Sequence, residues 1–417
     1  VAADAAFVTD PMGVLVVLAG VVMVSVKLEE RVKAFRALGA AFIGILLGML
    51  LSNTGVLPGE SPTYRFLMGP GVSVGIVLIL LSVDVRTVLF AGPRMLVAFG
   101  IGAVGSAVGA VVGALAVFRL VGPETWKLAG QFTGTYTGGG VNFAALGEAF
   151  QTRSDLFTAG VAADVIITAV WMAACLMAPV VFAGWKRSAG GGSSGADAGD
   201  AGVAGRRENT TQGNGGTPES VKGSPAPFPA AHSLERTLYA SRRPVSLADL
   251  SALAAVGIGA VWGSHILGRL VPALPDVLWL TTLALLLAQI PAVKGLAGSA
   301  VVGNYLVLLF LASNGARSVV ANIMHVGPGV VYFAATVVAI HGVIIFVGGW
   351  LARIDAGTLA VASQACVGGP ASAMALASAR GYTEKVLPAV AVGLLGYALG
   401  NYWGWAVAQA VRHMLGA

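Results

Sequence analysis

Ten apolar runs, each long enough to cross or nearly cross a bilayer, constrain this 417-residue chain more than any other feature. They cover 11–26, 37–51, 66–83, 95–118 and 156–185 in the first part of the chain. In the second part they cover 250–268, 277–293, 295–316, 326–352 and 386–411. A hydrocarbon core of about 30 Å takes about 20 helical residues. Lipid offers no partner to an open backbone, so uninterrupted apolar runs of this length are expected to be helices. The expected fold is an all-α integral membrane protein with about ten spans. Composition agrees: 56% of residues are apolar and 11% charged, against roughly 25% charged in a soluble domain. Mean hydropathy is +0.83. The formal charge of +6 comes from Lys and Arg placed between the apolar runs, as in membrane loops; it does not mark a nucleic-acid surface. Cys175 and Cys366 both lie inside apolar runs, too few and too buried for a disulfide frame or a zinc site.

The chain divides at 186–245, a segment rich in Gly, Ala, Ser and Pro that includes Gly190-Gly191-Gly192-Ser193-Ser194. Such a composition cannot bury a core and reads as a disordered linker. On either side, 1–185 and 246–417 repeat each other. Placing Arg86 on Arg317 gives an offset of 231; placing Thr137-Gly138-Gly139-Gly140-Val141-Asn142 on Val367-Gly368-Gly369-Pro370-Ala371-Ser372 gives 230. Each half runs through four spans, one Gly-rich stretch (127–150 or 355–380) and one long span. Internal repeats of this kind are a signature of secondary transporters.

Charge bears on whether the Gly-rich stretches cross. If they are re-entrant hairpins, 18 basic residues fall on the linker side and 7 on the other; if they cross, the split is 14 against 11. Leaving out the linker's eight basic residues, which weigh little as part of a long loop, the hairpin split is 10 against 7. The hairpin arrangement follows the positive-inside rule better. It also gives each half an odd number of crossings, which makes the two repeats inverted, with the linker inside and both termini outside. The opening Val1-Ala2-Ala3 fits a removed transit segment or a trimmed bacterial chain. The expected location is therefore a plastid membrane (inner envelope or thylakoid) or a bacterial inner membrane.

Three adjacent glycines disfavour helix, each by about 1 kcal/mol relative to alanine, so the backbone is expected to break at Gly138, Gly139 and Gly140 and again at Gly368 and Gly369. Pro370 suits the first position of a new half-helix. Broken backbone survives at membrane depth only where protein buries it or where it lines a wet cavity. A half-helix starting there turns free N–H groups and a positive dipole end toward a ligand, which favours an anion. The expected substrate site is thus Thr135, Thr137, Gly138, Gly139, Gly140 and Asn142 of the first stretch with Ser363, Gln364, Gly368, Gly369, Pro370 and Ser372 of the second. Thr133, Thr135 and Ser363 offer hydroxyl oxygens suited to a sodium ion. The bland alternative is that these glycines serve close helix packing.

The stretches TGTYTGGGVNFAALGEAF and SQACVGGPASAMALASARG resemble the signature segments of the YjcL-like multi-pass membrane proteins, domain of unknown function family 819. The resemblance covers the chain apart from the linker. The layout also resembles, more distantly, the sodium–glutamate and citrate-type symporters. That likeness implies inverted halves, Gly-Gly re-entrant loops and an elevator-like motion.

Asp164 lies inside a span, where a carboxylate is costly and marks a functional candidate. Asp164, Thr133 and Asp84 are the expected ion-coupling residues, and Tyr397 and Asn401, one turn apart, are expected to line the path. His265 and His341 read as packing residues. The sequence holds no His-Glu-x-x-His, no nucleotide-binding Gly-Lys-Ser/Thr loop and no Gly-x-Ser-x-Gly, so no enzymatic role is expected. The expected function is a sodium- or proton-coupled secondary transporter of a small anionic organic metabolite. The rivals are a cation/proton antiporter and a non-transporting membrane subunit or assembly factor. Expected partners are the bilayer, the solute and a second copy of the chain as a homodimer, with no nucleic acid; no cofactor is expected beyond the sodium ion.

Overall fold

The computed structural model describes residues 6–32, 35, 38–83, 85–182, 244–272, 274–318 and 320–416. The linker 186–243 and Asp84 lie outside them. The described residues are helical, without a strand. The first half contains α1 (Pro11–Arg31), α2 (Gly39–Asn53), α3 (Pro62–Leu80), α4 (Gly92–Val121), α5 (Thr125–Gly138), α6 (Gly140–Ala149) and α7 (Ser154–Val181). The second contains α8 (Leu247–Leu270), α9 (Asp276–Ala288), α10 (Ser299–Arg317), α11 (Val320–Leu351), α12 (Ala356–Ala379) and α13 (Thr383–Leu415). Among the described residues, nine helices are long and apolar enough to cross a membrane, α12 among them, and α2 and α9 are shorter apolar helices.

Local chemistry sets the ends. Asp10 caps α1, accepting from the Gly13 amide at 2.8 Å, with Pro11 at the first helical position. Ser246 and Asp249 form a reciprocal capping box at α8. The helix bounds differ from the apolar runs where backbone chemistry overrides hydropathy. The run 277–293 stops as helix at Ala288 because Pro291 opens a separate short turn. The run 295–316 starts as helix only at Ser299, after Gly298 in the left-handed region. Within α3 the turn Leu67–Gly71 is widened to the π type around Pro70, which has no N–H to donate.

The helices sort into two groups. One contains α1, α2, α3, α8, α9 and α10; the other contains α4, α5, α6, α7, α11, α12 and α13. Packing is dense within each group and sparse between them. Each group is assembled from both halves of the chain: α4 crosses α11, α5 packs on α13, and α12 packs on α7. Small residues permit the close crossings. A Cβ on Gly109 of α4 would lie 2.6 Å from the Val337 carbonyl oxygen of α11, and one on Gly130 of α5 would lie 2.8 Å from the Gly404 carbonyl oxygen of α13. Between the groups run a few polar contacts: Asn401 to Thr281 at 2.9 Å, Tyr402 to Thr282 at 2.6 Å, and Thr158 to Ser318 at 2.8 Å.

Candidate functional site

The two Gly-rich stretches turn back on themselves. In the first, the chain reverses at Gly139, whose φ of 90° and ψ of 174° belong to a region that is essentially glycine-only. Gln131 Nε2 of α5 donates to the Phe143 carbonyl of α6 at 3.2 Å, and Thr152 Oγ1 donates to Gln131 Oε1 at 3.0 Å. A Cβ on Gly130 would lie 2.8 Å from the Phe150 ring. In an uninterrupted helix those twenty residues would span about 30 Å. In the second stretch α12 reverses at Gly369, with φ 74° and ψ −172°. Ser372 Oγ reaches the Gln364 carbonyl at 3.4 Å, where eight helical residues would separate the two by about 12 Å. The mouth of this second hairpin closes through Lys385, 3.8 Å from Asp355.

Gly139 and Gly369 are thus the same backbone device, 230 residues apart, and they meet. A Cβ on Gly139 would lie 3.5 Å from the Gly369 Cα and 3.3 Å from the Tyr397 ring; one on Gly369 would lie 3.7 Å from the Gly138 carbonyl oxygen. Helix α13 backs the junction. Asn142 Nδ2 donates to the Gly396 carbonyl at 3.3 Å, and a Cβ on Gly393 would fall 2.6 Å from the Pro370 nitrogen. Beside the junction the structure is open. Gly140, the first residue of α6, is exposed, with nothing within 4 Å of where its Cβ would be.

Polar satisfaction sets this junction apart. Ten buried side-chain nitrogen and oxygen atoms lack a hydrogen-bond partner among the described residues. Seven of them belong to Thr135, Tyr136, Thr137, Asn142, Gln364 and Asn401, with both amide atoms of Gln364 included. The Gln364 amide lies against Gly368 and the Asn142 amide against Gly138. Buried groups of this kind normally find partners; Thr135, Thr137, Asn142 and Gln364 all lie within five residues of Gly139 or Gly369, and this grouping at two facing tips points to a ligand.

The other expected residues are placed less uniformly. Thr133 Oγ1 turns back to the Ala129 carbonyl at 2.8 Å. Ser372 Oγ donates to the Gly369 carbonyl at 3.1 Å. The Ser363 hydroxyl is engaged twice, by Trp171 Nε1 at 2.9 Å and by His341 Nε2 at 2.9 Å. The three hydroxyls expected to hold sodium therefore do not converge as free ligands, and of the three only Thr135 is unpartnered. Among the described residues no cluster of His, Cys, Asp and Glu could hold a metal ion. Asp164 is half-buried on α7, with Thr168 Oγ1 donating to it at 3.3 Å. The Tyr136 hydroxyl lies within interaction reach of it. Asp164 is ten residues into α7 and Tyr136 eleven into α5, about 15 and 17 Å from helix starts that lie at one end. The carboxylate therefore stands level with Tyr136, about one helical turn short of the first tip.

A continuous hydrogen-bonded chain ties the two hairpins together. His341 Nδ1 is 2.8 Å from the Gly102 carbonyl and 3.0 Å from Ser106 Oγ, and Ser106 Oγ bonds the Tyr136 carbonyl. The Gly102 carbonyl can only accept, which assigns the proton to Nδ1 and makes Nε2 the acceptor of the Ser363 hydroxyl. Sequence reasoning passed over Ser106, Tyr136 and Trp171. Tyr136 could have been found, since it sits between two selected threonines; nothing in the sequence marks Ser106 or Trp171. His265, by contrast, makes an exposed 2.6 Å pair with Asp276.

Comparison with known proteins agrees with the signature stretches. The chain is 29% identical over 397 residues to the uncharacterized membrane protein YjcL of Bacillus subtilis (strain 168), covering 91% of this chain and 92% of that protein. That relative is a bacterial membrane protein, and the chain itself is a multi-pass membrane protein. Residues 13–214 and 225–414 match the family described as protein of unknown function DUF819, and the chain belongs to that family.

Proposed function

We propose that this protein is an ion-coupled secondary transporter of a small organic metabolite bound between the two hairpin tips. The observation that carries the reading is that five unpartnered buried polar atoms, on Thr135, Thr137, Asn142 and Gln364, belong to residues within five positions of two facing, glycine-broken tips. Half-helices begin at Gly140 and Pro370 and turn their positive ends toward that junction. Asp164, about one helical turn from the level of the first tip, supplies the ion- or proton-coupling carboxylate. The hairpins fold back within their own lengths, which supports ten crossings arranged as two inverted repeats of five. In this topology α2 and α9 cross despite their shortness, and α12 does not cross despite its length. The hairpins lie wholly within one group of helices that packs sparsely on the other. That division supports an elevator motion, in which the hairpin-bearing group slides along a scaffold formed by the other.

The test is uptake by reconstituted liposomes under an imposed sodium or proton gradient. Gly140→Ala has room for its methyl group and no positive φ to strain. It is expected to leave the protein folded and to cut uptake at least tenfold. Uptake unchanged by that substitution would remove the tip from the transport path.

A further inference from the structure

We infer that the transported solute is a zwitterion with one carboxylate and one ammonium group, an α-amino acid with an uncharged side chain being the fitting class. This rests on the hairpin tips being the solute site. The inference comes from what the tips lack as much as from what they hold. Among the residues whose side chains are described, no Lys or Arg belongs to the buried core, and the buried Arg380 Nε lies by the mouth of the second hairpin and not at its tip. A dicarboxylate or tricarboxylate brought to this depth would meet only the two half-helix ends. Each is worth a fraction of a charge, too little to replace the hydration of several anionic groups. One carboxylate is a different case. The N-terminal ends at Gly140 and Pro370, the Gln364 Nε2 donor and the Thr135 and Thr137 hydroxyls suit a single anionic group.

The remaining unpartnered atoms ask for the opposite partner. Asn142 Oδ1 and Gln364 Oε1 at the tips are acceptors only, as is Asn401 Oδ1 on α13, the helix that backs them. Asn142 and Asn401 have already committed their amide nitrogens, to the Gly396 carbonyl and to Thr281 Oγ1, which fixes their oxygens as acceptors. The Tyr136 hydroxyl adds an oxygen that can either donate or accept, with the Asp164 carboxylate within its electrostatic reach. An ammonium group supplies three donors to such a set. A solute without donors would leave these oxygens buried and unmatched, at a cost in affinity. Donors and fractional positive charge on one side of the inventory and acceptors on the other match a zwitterion.

The experiment uses full-length protein in liposomes and measures exchange of four radiolabelled pools. The first contains L-alanine, L-serine, L-glutamine and L-leucine. The second contains their N-acetyl derivatives, which keep the carboxylate and lose the ammonium. The third contains their amides, which keep the ammonium and lose the carboxylate. The fourth is succinate. Thr135→Val and Gln364→Leu are run beside the wild type; the polar atoms they delete make no internal hydrogen bond, so both variants should fold. The inference expects exchange of the first pool at least tenfold faster than of the others, and at least a tenfold loss in both variants. Exchange of the N-acetyl pool or succinate at the same rate or faster, lost in the same variants, overturns the zwitterion and leaves the tips as the site. Exchange indifferent to both variants, or exchange from no pool, overturns the site as well.

Discussion

At the residue scale, the structure separates glycines that shape the candidate site from a glycine that faces it. Gly139 and Gly369 hold a backbone region closed to other residues, so alanine at either should cost about 1–3 kcal/mol through strain alone. This would be read as a lower unfolding temperature in detergent. Gly140→Ala should leave that temperature unchanged and still impair transport. Gln364 tells the same story from the polar side. Both of its amide atoms are buried and unpartnered, and such a group costs about 1–3 kcal/mol. Gln364→Leu should therefore raise thermal stability while lowering transport; a residue placed only for packing would not show that opposition. Asp164→Asn keeps the shape of the side chain and removes its charge. Gradient-driven accumulation should be lost while solute exchange down a concentration gradient persists, and accumulation at the wild-type rate would exclude Asp164 from coupling.

At the scale of elements, the hairpin was the most legible feature of the sequence. Clustered glycines, flanking hydroxyls and the 230-residue repeat together named both breaks, and Gly139 and Gly369 carry them. The roles of the flanking hydroxyls were less legible. Thr133, Thr135 and Thr137 look alike in the sequence. Whether a threonine serves its own helix or faces a ligand depends on the rotation of α5 against α13, which side-chain packing decides and composition does not. Ser363 illustrates the same limit, because its hydroxyl is taken by Trp171 and His341 from two other helices. The hairpin mouth has its own chemistry. Asp355 caps α12 by accepting from the Thr358 amide at 2.9 Å and its hydroxyl at 2.6 Å. Partial burial opposes the charge on Asp355; the Thr358 bonds and the Lys385 ammonium outweigh it and hold the carboxyl below its usual value. A group depressed in this way stabilises the fold fully above the unfolded value of about 3.9 and loses that contribution as pH falls through the lower folded value. Amide exchange in the first turn of α12 should accelerate in that acid window, and Asp355→Asn should show the faster exchange already at neutral pH.

At the scale of the whole molecule, two groups of helices touch through few polar contacts, and this yields a mechanical prediction. Thr158 Oγ1 and Ser318 Oγ are 2.8 Å apart across the boundary. In a background without Cys175 and Cys366, cysteines at those two positions should form a disulfide that stops transport and restores it on reduction. Unimpaired transport in the cross-linked protein would rule out sliding between the groups. The topology is checked by single cysteines at Arg153 and Arg380, beside the mouths of the two hairpins. Reagents that do not cross the membrane should label them from opposite sides, Arg153 from outside and Arg380 from inside; labelling from one side only would require the hairpins to cross. The exchange of helices between the halves also bears on how the protein is made. Helix α5 packs on α13, so the first hairpin leaves the ribosome well before the helix that shields it. With 261 residues from Gly139 to Gly400 and synthesis at about 5–20 residues per second, the delay is roughly 13 to 50 s. In the proposed re-entrant topology a broken backbone would wait in the bilayer through that interval without its protein cover. The nascent first half should then depend on whatever shelters polar segments during insertion, and a chain truncated before α13 should be cleared by membrane proteolysis rather than accumulate.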